Sequence, residues 1–288
     1  MLKDRMELKM NKVQTTKKDF SISHRDLLNK ALTEKGYISK CYHVFHNFSI
    51  NNQWIASWQL ASKGYDLSPI ATFNKWKSLG RSINKGEKAI YLWMPIGSTT
   101  YTVKDDETGE EKTVHIASRF KYINRWFSLD QTNGKDLKSA DDFAELKIGD
   151  FDFSKLYKAY NIKMIKYDSL NGNAQGYVNI KNEIALNPLA QHAEKTILHE
   201  ICHVALEHTD KRHDLDRDLK EVEAETTCFI VGTILGFNED DLSSSRAYIQ
   251  GWLGGNDLPE ANIKKILATA NKILNIGLGK NDKDNKGE

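Results

Sequence analysis

The residues best suited to chemistry stand in "KTILHEICHVALEH", positions 195–208. His199 and His203 are four apart, so on a helix both imidazoles project from one face. That spacing lets two nitrogens reach one Zn2+ at about 2.0–2.1 Å each. Glu200, beside the first histidine, would overhang the open side of the metal. A carboxylate there can take a proton from water and pass it to a leaving amine. Ile197, Leu198, Ile201, Val204 and Ala205 are apolar spacers that can bury the rest of the helix.

A catalytic zinc site needs three protein ligands and one open position. Downstream lies "KEVEAETTCF", in which Glu221 and Glu225 share a helical face and Glu223 points elsewhere. Glu221, 18 residues after His203, leaves room for a loop and a return helix, and is the preferred third ligand. Glu225, a turn away, would hydrogen-bond a ligand histidine and fix its tautomer; it is also the rival third ligand. His208 and His213 follow the motif and are further alternatives, though both read more simply as surface histidines. Cys202 and Cys228 read as buried core thiols. Tyr248 in "RAYIQGW" is either an oxyanion stabiliser or a packing tyrosine.

The elements that must position these groups can be read from periodicity and caps. The site helix is expected over about 190–208, and the acidic helix over about 217–235, ended by Gly236. "FSKLYKAYN" precedes them as a helix. "KMIKY", "GYVNI" and "EIALN" read as short strands, and "SSSRAYIQGWLGG" and "PEANIKKILATANKILN" as two further helices. In the first half, helices are expected at "SHRDLLNKALTEKG" with Ser23 as N-cap, at 51–64, and at 68–80 with Ser68 as N-cap and Pro69 in its first turn. "AIYLWMPI" and "RFKYINRWFSLDQ" read as strands, with a long hairpin between them tipped by "DDETGEE".

The chain has 288 residues and a formal charge of +2, which hides an asymmetry. Residues 1–135 sum to +9 and residues 136–288 to −7. Two domains with different partners are expected: a basic arm (1–20), a nucleic-acid-binding domain (21–135), a linker (136–150), a metallopeptidase-like domain (151–276) and a disordered tail (277–288). The fold class expected is α+β. Five of six tryptophans precede residue 130. Trp54 and Trp58 have a core spacing. Lys75, Lys77, Arg81, Lys85 and Lys88 interleave with Trp76, and Arg119, Lys121 and Arg125 alternate with Phe120, Tyr122 and Trp126. Cations tracking phosphates, with aromatic faces for bases, describe a single-strand binding surface. Three cysteines, Cys41, Cys202 and Cys228, give no disulfide framework, no apolar run is long enough to span a membrane, and the charged N-terminus is no secretory signal. A cytoplasmic location is the expectation. No Walker A loop, dinucleotide fingerprint or Ser-His-Asp arrangement competes with the metal site.

Taken in order, "ATFNKWKSLGRSINKGEKAIYLWMP", "RFKYINRWFSLDQTNG", "LHEICH", "EVEAE" and "AYIQGWL" resemble the ArdC-type antirestriction proteins of conjugative plasmids and their LtrC-like relatives. The resemblance runs over about residues 40–275. It implies a single-stranded-DNA-binding N-terminal domain, with contacts around Lys75 to Lys88 and Arg119 to Trp126. It also implies a zincin-like C-terminal domain holding one Zn2+ per chain. There His199, His203 and Glu221 would be ligands and Glu200 the catalytic acid/base. The implied role is protection of incoming DNA during conjugation. The peptide substrate, if one exists, is not named by the sequence.

Overall fold

The structure is a computed structural model that describes residues 22–96, 98–104, 111–117, 120–137, 151–168, 174–210 and 216–280. The basic arm, the hairpin tip, Arg119, His213, most of the expected linker and the end of the tail lie outside these residues. The described residues mix helix and sheet in an α+β fold and fall into two compact units. One holds described residues of 1–54 and 144–287, the other residues 55–143.

In the first unit, α1 (His24–Thr33) is capped by Ser23, whose hydroxyl accepts from Asp26 N–H at 3.0 Å. Then comes α2 (Tyr37–Phe45), a helix absent from the elements expected on periodicity. Gly36, at φ 75°, turns the chain from one helix directly into the next. Sequence patterning groups these helices with the basic domain, yet their partners are C-terminal. His24 is bound to Glu260, Arg25 pairs with Asp257, and Ser39 Oγ donates to Thr233 O at 3.2 Å.

The centre of this unit is a long helix, α7 (Arg217–Leu235), whose inner face buries Val222, Ala224, Cys228, Phe229, Ile230 and Val231. It packs against α6 (Ala193–Ala205), α8 (Glu239–Gly255) and α9 (Glu260–Leu278). Gly236, at φ 80°, ends α7, and Phe237 N–H returns to Gly232 O at 2.9 Å. Helix α9 runs on to Leu278, so the first residues of the expected tail are helical. After α5 (Phe153–Ala159), three short strands form one sheet in the order β8 (Lys163–Ile165), β10 (Glu183–Leu186), β9 (Gly176–Val178). β10 is parallel to β8 and antiparallel to β9, which is an edge strand lying against α6.

Helix α3 (Ile50–Ser62) leads into the second unit. Residues 68–80, expected as one helix, are instead β1 (Ile70–Thr72) followed by the short α4 (Phe73–Ser78). The N-cap is Thr72, not Ser68. The Ser68 hydroxyl donates to Asp130, and Ile70 to Thr72 pair with the far end of β6 (Phe120–Ser128). Sheet pairing therefore overrides the local Ser-Pro start signal. β6 is central in an antiparallel sheet of order β1-β6-β3, with β3 spanning Ile90–Pro95. β2 (Arg81–Ile83) pairs with β7 (Thr132–Gly134), and β4 (Ser98–Lys104) with β5 (Glu111–Ala117). Among the described residues no helix is long and apolar enough to cross a membrane.

Candidate functional site

Helix α6 projects His199 and His203 from one face, as their spacing requires. Their Nε2 atoms lie 3.1 Å apart. α7 returns antiparallel chemistry to the same point: Glu221 Oε2 is 3.5 Å from His199 Nε2 and 3.6 Å from His203 Nε2. A tetrahedral ion with bonds of about 2.0–2.1 Å needs donors about 3.3 Å apart. The three donor atoms thus mark out one face of such a polyhedron, and the residues present fit a divalent metal.

Each imidazole has its second nitrogen held from behind. His199 Nδ1 lies 2.7 Å from Glu225 Oε2, and Glu225 is held in turn by Lys195 Nζ at 3.2 Å. A carboxylate at that distance favours the proton on Nδ1, which leaves Nε2 to offer its lone pair. Behind His203 stands His208, with Nδ1 atoms 3.1 Å apart. His208 is brought there by the end of α6: Glu207 adopts φ 62°, and His208 N–H returns to His203 O at 2.9 Å. His208 Nε2 lies 2.8 Å from Glu223 Oε2, and Glu223 Oε1 accepts from Asn262 Nδ2 at 2.6 Å, with Lys265 Nζ 3.6 Å from Oε2. This network assigns the tautomers. Glu223 accepts from His208 Nε2–H, His208 Nδ1 accepts from His203 Nδ1–H, and His203 Nε2 is free of its proton.

The charges follow the same geometry. Burial opposes an imidazolium at His199, but Glu221 and Glu225 overcome it and raise its basicity well above that of an ordinary histidine. The two imidazoles that face it, His199 first and then His203, hold Glu221 well below the usual carboxylate range. Burial works to raise Glu225, and His199 outweighs it, bringing Glu225 down to about 2. Glu200 moves the other way: burial raises its carboxyl, only partly offset by His199 and His203. A carboxylate whose affinity for a proton is raised is suited to carrying one. Glu200, His199 and His203 line a cavity of about 500 Å3, walled also by Gly176, Tyr177 and Val178 of β9. Tyr248 is exposed and feels the Glu221 charge after burial, both raising its hydroxyl.

Sequence reasoning points Glu223 away from the site and reads His208 as a surface histidine, with ligation as the alternative, whereas His208 is buried. Glu223 is fully buried, and its work is to hold His208. The available signal was a third acid flanked by Val222 and Ala224 in an otherwise apolar stretch, which is costly to bury without a partner. Its partners Asn262 and Lys265 come from α9, far along the chain.

The residues expected to bind nucleic acid separate in the second unit. Lys75, Lys77, Lys85, Lys88 and Lys121 are exposed. Trp76 and Trp126 are 0% exposed, which corrects their reading as stacking faces. Trp76 points inward from α4 and donates Nε1–H to Phe127 O at 2.8 Å. Arg81 is corrected too: its guanidinium donates to Thr132 Oγ1 at 2.8 Å, Thr132 O at 3.0 Å and Lys135 O at 2.6 Å, fastening β2 to β7. Trp126 turns inward because β6 carries an extra residue, Arg125. Ile90 pairs with Trp126 and Tyr91 with Asn124, so the strand's alternation flips there. Tyr122 stays on the outer side, half-buried. Among the described residues of this unit the strongly exposed rings are Phe73, Trp93 and Phe120, of which only Phe120 belonged to the expected aromatic set.

Residues 29–126 match the family model described as the N-terminal domain of anti-restriction factor ArdC, and over these residues the chain is ArdC-like. No curated protein matches the chain. Among solved structures, the chain is similar to the metal-free crystal structure of antirestriction ArdC protein from the R388 plasmid. The TM-score is 0.46 at 21% identity, over 88% of this chain and 94% of that one. For the Mn(II)-bound structure of the same protein the TM-score is 0.47 at 18% identity, over 89% and 96%.

Proposed function

We propose that this chain is an antirestriction-type protein that binds single-stranded DNA and carries a metal-dependent peptidase site of zincin type, serving DNA in conjugative transfer. The match of residues 29–126 to an anti-restriction domain supports the first part. The second part is carried by one observation: three donor atoms 3.1–3.6 Å apart, with Glu200 lining the same cavity. The reading divides the roles by unit, with DNA held by residues within 55–143 and the metal in the unit that contains α6 and α7.

Zn2+ suits two imidazoles and a carboxylate, and when bound it supplies Lewis acidity that polarises a carbonyl and acidifies water. The protein's own groups do the rest. His199, His203 and Glu221 hold the ion, and Glu225 and His208 fix the imidazole tautomers. Val178 of β9 lines the same cavity beside the Glu200 carboxylate. Glu200 would accept a proton from the attacking water as its oxygen bonds to the carbonyl carbon and pass it to the amine that leaves as the C–N bond breaks, the transfer its raised proton affinity favours.

The test is metal analysis of the purified protein, titration with single- and double-stranded DNA, and the Glu200→Gln variant. Glu200→Gln is expected to keep the metal and DNA binding and to lose cleavage of a protein or peptide substrate. Cleavage that persists in Glu200→Gln sinks the mechanism. DNA protection that survives in that variant assigns protection to DNA binding and removes catalysis from it.

A further inference from the structure

Strands β3 and β6 place four aromatic side chains on one face of their sheet. Trp93 pairs with Tyr122 and Pro95 with Phe120 in register, while Tyr91 pairs with Asn124. Directly opposed residues share a face, so Tyr91, Trp93, Phe120 and Tyr122 lie on one side, and the buried Leu92 lies on the other. The rings form a ladder. Tyr91 and Tyr122 stack with centroids 5.1 Å apart at 25°, and Trp93 lies 5.1 Å from Tyr122 at 40°. Gln59 braces the inner end, taking Tyr91 N–H at 2.9 Å and donating to Tyr91 O at 2.8 Å. The outer end is open to solvent: Trp93 is 40% and Phe120 59% exposed.

We infer that this ladder is a base-stacking platform, with Trp93 and Phe120 receiving bases of a single strand and Tyr91 and Tyr122 backing Trp93. The inference rests on the single-stranded-DNA reading and names the surface that performs it. From Tyr91 to Pro95 the strand runs about 14 Å, a length that suits two or three stacked bases on an antiparallel sheet face. The charge fits a polyanion. Lys88 and Arg125 flank the Tyr91 end, both are exposed, and neither has a carboxylate partner among the described residues, whereas Lys121 pairs with Met94 on the opposite face. The acids nearby are engaged otherwise: Glu87 accepts from Tyr65 and Gln131, and Asp130 accepts from Ser68. Rings for base faces with cations for phosphates describe non-sequence-specific single-strand binding.

The test uses the full-length protein and two fluorescent probes of equal length: oligo(dT) and an abasic strand with the same phosphates. Trp93→Ala is expected to weaken oligo(dT) binding by roughly 5- to 150-fold, the loss of one stacked base, and to leave abasic-strand binding unchanged. Trp93→Phe should restore most of the loss. Phe120→Ala, at a more exposed position, should show the same selectivity with little effect on folding. Lys88→Gln should weaken both probes and reduce the salt slope by about 0.7. If the wild type binds oligo(dT), but Trp93→Ala and Phe120→Ala bind it equally well, the platform is elsewhere and the DNA reading stands. If the wild type binds neither probe, both readings fall together.

Discussion

The Nδ1 atoms of His203 and His208 lie 3.1 Å apart, and the far nitrogen of His208 meets the buried Glu223 carboxylate at 2.8 Å. The proton of the His203 imidazole, a proposed ligand, is therefore set by a residue two links away, on the return helix, itself fixed by Asn262. A ligand histidine that loses such support binds metal more weakly by about 10- to 100-fold. His208→Ala and Glu223→Gln are each expected to fall in that range in a chelator-competition titration. Glu223→Gln keeps the shape but offers His208 an amide in place of a charge. Unchanged metal affinity in both variants would mean that the network serves only packing.

Trp76 offers a second discrimination. It is enclosed and hydrogen-bonded to the Phe127 carbonyl, so it belongs to the core of the second unit. Trp76→Phe should lower stability by about 1–3 kcal/mol through the lost hydrogen bond and lost volume. Affinity for single-stranded DNA should not change. A melt and a binding titration on the same sample separate the two effects. A large loss of affinity with an unchanged melting temperature would return Trp76 to the binding surface.

These two cases mark what the sequence could and could not show. The spacing of His199 and His203, and of Glu221 and Glu225, specifies shared faces because a helix repeats every 3.6 residues. The structure brings those four side chains together. Glu223 faces away from the Glu221/Glu225 side of its helix, as its spacing requires, but its partners come from α9 and from the turn after α6, and no local pattern encodes them. Trp126 was lost to a single inserted residue, since a bulge reverses every inward and outward assignment beyond it. The Ser68 start signal failed for a related reason: pairing with β6 outweighs a local cap. The ladder was legible in "AIYLW", where Ile90 and Leu92 alternate with Tyr91 and Trp93, once β6 is set beside it.

Gly176 sits where the edge strand β9 meets the site helix. A Cβ there would lie 2.7 Å from Thr196 Cγ2 and 3.0 Å from the Ala185 carbonyl oxygen. Gly176→Ala should therefore push β9 away from α6 and cost about 1–3 kcal/mol, the usual penalty of overpacking. Thr196→Ser removes the closest atom, so the double variant should recover part of the loss. A double-mutant cycle read by chemical unfolding measures that coupling. Additive losses would place the strain at the Ala185 carbonyl instead.

Tyr122 gives the pH dependence its sign. Burial, with a smaller contribution from Tyr91, pushes its hydroxyl from the ordinary 10.0 up to about 12. Below pH 10 the group is protonated in folded and unfolded chains alike, and its contribution to stability is intact. Between about pH 10 and 12 the unfolded chain releases this proton and the folded chain keeps it, so stability falls as pH rises. Denaturant unfolding at about pH 9 and pH 11 should show a larger drop in the wild type than in Tyr122→Phe, which has no proton to release. Equal drops would mean that Tyr122 ionises at its ordinary value. The Tyr91–Tyr122 stack would then be open to water, and Trp93 would lack the rigid backing that the ladder gives it.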